Sequence, residues 1–174
     1  MSNAFNPLYK MARKKIEYLM DYYPRRTDVE SEERTESRRK ISMFLNGDCP
    51  QEVMDEFIAR ICELEKTDPD GDWVVGFIPA PDGMSTIMRY GNLALEIGEK
   101  TDSVAYLDIF EEERGKRNFG YAVNRSHVEG NNVILVDALL ETGRRYRLFS
   151  TKVRDAGAKR VYGIIVGKVR GEDQ

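Results

Sequence analysis

The stretch from Asn132 to Ala156, NVILVDALLETGRRYRLFSTKVRDA, limits most sharply what this chain can fold into. It opens with an apolar, β-branched run, Val133 to Val136, which reads as a strand buried on both faces of a parallel sheet. The run stops on an acid, Asp137. A short loop, Ala138 to Arg145, carries Thr142 and Gly143. Tyr146, Phe149, Val153 and Ala156 then recur at helical spacing, so a helix leaves the loop. Strand, acid, glycine-bearing loop and helix start suit a phosphorylated ligand. Backbone N–H groups at the loop and helix start face an anion, and the helix dipole favours negative charge there. The acid at the strand's end is placed to accept hydrogen bonds from sugar hydroxyls.

At 174 residues, with 41% apolar and 33% charged side chains, the chain is expected to form one ordinary globular domain. A net charge of -3 and a pI near 5.4 give no basic surface for nucleic acid, and aromatic–basic interleaving is absent. No apolar run approaches the ~20 residues needed to span a bilayer. The N-terminus lacks a charged region followed by an apolar stretch, so no secretory leader is expected and the cytoplasm is the expected location. Two cysteines, Cys49 and Cys62, and one histidine, His127, are too few for a structural zinc site.

Asn6 to Thr67 reads as helices. Leu8, Met11, Ile16, Leu19 and Met20 form an apolar stripe ahead of Pro24. The Glu- and Arg-rich run from Thr27 to Lys40 suits a solvated helix face. Pro50 opens a further helix with Val53, Met54, Phe57, Ile58, Ile61 and Leu64 on its apolar side. Residues 1–71 are therefore expected to be a helical segment packed on an α/β core at 72–174.

Within that core, Trp73 to Ile78 is a strand that runs into Pro79-Ala80-Pro81-Asp82-Gly83, a turn-forming loop. Ile87, Tyr90, Leu93, Ala94 and Ile97 give a helix, and Val104 to Phe110 a second strand, completing a parallel crossover. Glu111 to Asn132 is polar and glycine-containing, with only Phe119, Tyr121 and Val123 alternating; it reads as a lid or surface hairpin with a short edge strand. Lys116, Arg117 and Arg125 there can meet an anion. His127 reads as a surface histidine without a partner. Gly157 ends the last helix, and Val161 to Val166 is the final strand.

VILVDALLETGRRYR resembles the type I phosphoribosyltransferase signature, an apolar strand followed by two acids, two apolar residues and Thr-Thr-Gly. GAKRVYGIIVGK is similar to the strand that follows it. FIPAPDGMSTIMRYGNLALEIGEK, with its Arg89-Tyr90-Gly91-Asn92 stretch, and ERGKRNFGYAVN are similar to segments of the competence-F-like branch. The resemblance spans Trp73 to Lys168 and implies a parallel sheet flanked by helices, with a hood hairpin. It also implies phosphoribosyl pyrophosphate as ligand, with magnesium. On that reading Asp137 contacts the ribose hydroxyls as the catalytic residue. Glu141, Thr142, Gly143, Arg144 and Arg145 form the 5-phosphate loop. Ala80, Pro81, Asp82 and Gly83 handle pyrophosphate, Arg89 adds a charge, and Lys116 and Arg117 belong to the hood. The sequence permits a homodimer without fixing the oligomeric state.

The chain departs from the signature at three places. Ala138 stands where the second acid belongs, Glu141 replaces the first threonine of the phosphate loop, and Arg145 replaces its last hydroxyl. A carboxylate ~4 Å from a phosphate costs about 4 kcal/mol per unit charge at an effective dielectric of ~20, roughly three decades of affinity. Either an arginine pairs with Glu141, or Arg144 and Arg145 bind phosphate and Glu141 turns to water, or the three form an internal ion-pair cluster in a site without ligand. Two functions stay open: phosphoribosyl transfer to an acceptor, and binding or regulation on the same scaffold without turnover.

Overall fold

The computed structural model describes residues 16–24, 30–80, 84–113 and 120–171. Five parallel strands form the central sheet in the order β1 (Ile16–Tyr22), β7 (Arg160–Val169), β6 (Asn132–Leu140), β2 (Trp73–Phe77), β3 (Val104–Tyr106). Every neighbouring pair is parallel. The buried, continuous apolar runs of β2, β6 and β7 take the middle of the sheet, where helices cover both faces.

On one face lie α1 (Glu32–Leu45), α2 (Gln51–Glu65) and α3 (Thr86–Lys100). Ile41 and Phe44 of α1, Phe57 and Ile61 of α2, and Tyr90, Leu93 and Ile97 of α3 pack there against Phe77, Ile134, Val136 and Ile164. Ser31 caps α1 by accepting from the Arg34 N–H, and Ser85 caps α3 by accepting from the Met88 N–H. Pro50 is the N-cap of α2, as its position in the sequence implies. The other face carries α5 (Arg144–Asp155), whose Tyr146, Phe149 and Val153 meet Val133, Leu135 and Ile165. A two-stranded antiparallel hairpin, β4 (Phe110–Glu113) and β5 (Gly120–Val123), and the single turn α4 (Arg125–Val128) adjoin α5.

The expected α/β class holds: a parallel sheet flanked by helices, plus a hairpin between β3 and β6. Three local expectations do not hold. Ile16 to Tyr22 is an edge strand, in register with Gly163 to Val169, and not part of a helix. Ile16, Leu19 and Met20 fit a helical stripe, yet in the strand Ile16 serves one core cluster while Leu19, Met20 and Tyr22 serve the other. Pairing with the β7 edge decides between the two templates. Leu8 and Met11 lie outside the described residues. The strand expected over Val104 to Phe110 is broken at Leu107–Asp108, so that β3 closes the main sheet and β4 opens the hairpin. His127 is not solitary: its ring stacks on Tyr106 at 3.7 Å, and Nε2 lies 3.4 Å from Asp108 Oδ1.

Candidate functional site

β6 delivers Asp137 to the carboxyl edge of the sheet, paired with Ile165 of β7 and one residue beyond the Val136–Phe77 pair with β2. The carboxyl group is 2% exposed. Its Oδ1 accepts the Ala138 N–H at 2.8 Å and lies 3.7 Å from Arg145 Nη2. Among the described residues nothing donates to Oδ2, and Asp137 lines a cavity of about 1250 Å³. Burial pushes its pKa up to about 6; the Arg145 charge, the Ala138 amide and Arg89 hold back a larger rise.

Beyond Leu140 the chain turns through Glu141, Thr142 and Gly143 into α5. Gly143 sits at φ 72°, the left-handed region that a side chain rarely adopts, and is the N-cap of the helix. Thr142 Oγ1 accepts the Arg144 N–H at 3.3 Å. Apart from that Arg144 amide, the first-turn amides of α5 have no acceptor within the helix, and their residues line the cavity. Glu141 is exposed, and among the described residues neither arginine pairs with it. The internal ion-pair cluster is therefore not formed, and Glu141 turns to water.

Arg145 reaches back across the sheet edge. Its Nη2 donates to the Pro79 carbonyl at the end of β2 while facing Asp137. The Tyr90 hydroxyl donates to the neighbouring Ile78 carbonyl at 3.2 Å. The β2–α3 loop is thus held at its start from two sides, by α5 and by α3. Arg89, 2% exposed, spends Nε and Nη2 on the Leu45 carbonyl at 3.1 and 2.9 Å, fixing the end of α1 to the site. Lys152 Nζ donates to the Tyr121 carbonyl at 2.9 Å, and Phe149 packs on Phe110 and Tyr121, so the helix that begins at the loop also carries the hairpin.

Asp137, Glu141 to Arg145 and Arg89 therefore line one cavity. Ala80 is buried beside Pro79. Pro81, Asp82, Gly83, Lys116 and Arg117 lie outside the described residues. Sequence reasoning misses the carbonyls of Leu45, Ile78 and Pro79, which carry no side-chain signal, and Tyr90, whose helical spacing marks it only as core. Ala138, at the second-acid position, is 3% exposed and belongs to the apolar cluster under α1 to α3. Neither cysteine joins the site, and burial pushes the Cys49 thiol up to about 12, which leaves it unreactive.

No protein-family model and no curated protein matches the chain. Among solved structures it is similar to the allosteric regulatory enzyme of purine biosynthesis, at 20% identity and TM-score 0.47, over 72% of this chain and 30% of that one. It is also similar to a hypoxanthine phosphoribosyltransferase from Staphylococcus aureus, at 14% identity and TM-score 0.45, over 77% of this chain and 70% of that one. A purine phosphoribosyltransferase from Pyrococcus horikoshii gives 15% identity and TM-score 0.40, over 67% and 82% of the two chains. The chain thus spans under a third of the first of these. At such identities and TM-scores, shared chemistry does not follow from the likeness.

Proposed function

We propose that this chain is a phosphoribosyltransferase-like protein that binds a phosphoribosyl ligand of the phosphoribosyl pyrophosphate type at the carboxyl edge of its sheet. The observation that carries the reading is Asp137: a buried carboxyl group with one oxygen that no described residue donates to, lining a cavity whose rim is a glycine turn and a helix start. A ribose diol donates to that oxygen, and the 5-phosphate takes the amides at the start of α5. The resemblance in the sequence points to the same ligand.

In a transfer reaction the bond from the anomeric carbon to pyrophosphate breaks, and pyrophosphate leaves with the electron pair. The sugar becomes oxocarbenium-like, and an acceptor nitrogen closes the new bond. The chain's part is positioning and charge: Asp137 holds the hydroxyls and faces the developing cation, while the loop fixes the phosphate. Magnesium carried by pyrophosphate would neutralise the leaving oxygens. The donors among the described residues do not fit a resident ion. Asp137 already gives Oδ1 to the Ala138 amide and Arg145, and no cluster of three His, Cys, Asp or Glu side chains occurs among the described residues.

A second reading, binding or regulation without turnover, is favoured by Ala138, which leaves Asp137 as the lone acid at the strand end. Titration calorimetry with ribose 5-phosphate and with phosphoribosyl pyrophosphate tests the ligand. Saturable heat with both is expected, and no heat at millimolar concentration overturns the reading. Pyrophosphate release in the presence of candidate bases then separates transfer from binding.

A further inference from the structure

The cavity is lined by five cationic side chains, Arg89, Arg144, Arg145, Arg147 and Lys152, against two acidic ones, Asp137 and Glu141. One of the five is fixed where it matters most for a polyanion. The Arg145 guanidinium is pinned between the Pro79 carbonyl and the Asp137 carboxyl. Its side chain stays 30% exposed and lines the cavity. A buried carboxylate beside a bound phosphoribosyl group is a like charge that some cation must offset. In this chain the Arg145 guanidinium, 3.7 Å from the carboxyl group, is that cation. A planar fork of N–H donors also suits phosphate oxygens.

We infer that Arg145 is the built-in counter-ion of the site, so that phosphoribosyl pyrophosphate binds here without a divalent cation. The inference rests on the ligand reading above and deepens it. Arg145 is a positioning residue with respect to Asp137: it holds the carboxylate and the Pro79 carbonyl in one arrangement and supplies the charge that a chelated metal ion would otherwise supply. Magnesium then concerns the departure of pyrophosphate and not the hold on the ligand.

The test is calorimetry of the whole chain with phosphoribosyl pyrophosphate, once in EDTA and once in magnesium. Equal affinity within about threefold, less than 0.7 kcal/mol, is expected. Arg145→Gln should weaken binding at least about tenfold in EDTA, as loss of a charge-assisted contact does, and magnesium should restore part of that loss. A merely structural arginine would lose the same factor in both buffers, and that result overturns the proposal. Arg145→Lys keeps the charge and should keep binding independent of magnesium; a magnesium requirement in that variant also counts against it. Thermal melts establish that each variant folds. Heat from the wild-type chain in magnesium alone overturns this inference and leaves the ligand reading standing. No heat in either buffer removes both.

Discussion

Asp137 illustrates a conflict between stability and binding inside one side chain. Burial disfavours its charged form, yet a charged acceptor holds a ribose diol best. Asparagine has the same shape, still accepts the Ala138 N–H and cannot ionise. Asp137→Asn is therefore expected to raise the melting temperature at pH 7.5 while weakening ribose 5-phosphate binding more than about tenfold, a trade seen where a site is strained for function. A melt and a titration on the same preparation check both signs; a variant that melts lower would mean that the Arg145 contact outweighs desolvation. Glu141 poses the simpler problem. Its carboxylate is exposed beside the phosphate loop, where solvent and salt screen it well below the unscreened ~4 kcal/mol. Glu141→Thr should tighten phosphate binding by about threefold to tenfold at low ionic strength, with the gain shrinking in 0.5 M salt. A gain that ignores salt would point to loop geometry and not charge.

The elements meet the site through close backbone approach. A Cβ on Gly163 of β7 would stand 2.4 Å from the Tyr146 ring, so Tyr146 seats the first turn of α5 directly on the sheet. Gly163→Ala must push that ring outward and tilt the helix start that forms the loop. Overpacking of this kind typically costs about 1–3 kcal/mol, so denaturant unfolding should show a loss in that range, with phosphate binding weakened as well. Unaltered binding in a destabilised variant would separate the loop from the seat of the helix. The same contacts show what was legible beforehand. β2, β6, β7, α2, α3 and α5 are written in local periodicity, and the Asp137 to Arg145 turn is written in one contiguous stretch. β1 was not, because Ile16, Leu19 and Met20 satisfy two periods and only the distant partner, Gly163 to Val169, chooses between them. Nor was the direction of Arg145, whose carbonyl partner lies 66 residues away, just beyond the end of β2. Of the roles the sequence offered for Arg144, Arg145 and Glu141, the two that pair Glu141 with an arginine are not formed, and Arg145 faces Asp137, a partner the sequence did not indicate.

For the whole molecule, the acid limb of the stability curve is a contest between buried and surface carboxyl groups. A carboxyl group whose folded pKa exceeds its unfolded value binds its proton more tightly in the folded state. Asp137, raised from 3.8 to about 6, thus contributes stability that is complete below 3.8 and is lost as pH rises through about 6. Asp68 and Glu36 act in the opposite sense. Hydrogen bonds from Lys159 and Asn132 hold Asp68 below the usual carboxylate range, and Arg39 does the same for Glu36. Their contribution is present above the ordinary carboxylate pKa and is lost as pH falls. Glu36 is a solvated surface group and Asp68 a partly exposed one, so salt weakens their effect, whereas the buried Asp137 keeps most of its own. A rise from 3.8 to about 6 on a buried group corresponds to roughly 3 kcal/mol as an upper figure. For a chain of this size each kcal/mol moves the midpoint by about 2–4 °C. Melting should therefore rise by several degrees from pH 7.5 to pH 5, pass a maximum and fall below about pH 4 as Asp68 and Glu36 take up protons. In Asp137→Asn the rise between pH 7.5 and pH 5 should vanish while the fall below pH 4 remains. If the variant and the wild-type chain trace parallel curves, the proton that stabilises the acid form sits elsewhere, and Asp137 is ionised in the folded protein throughout.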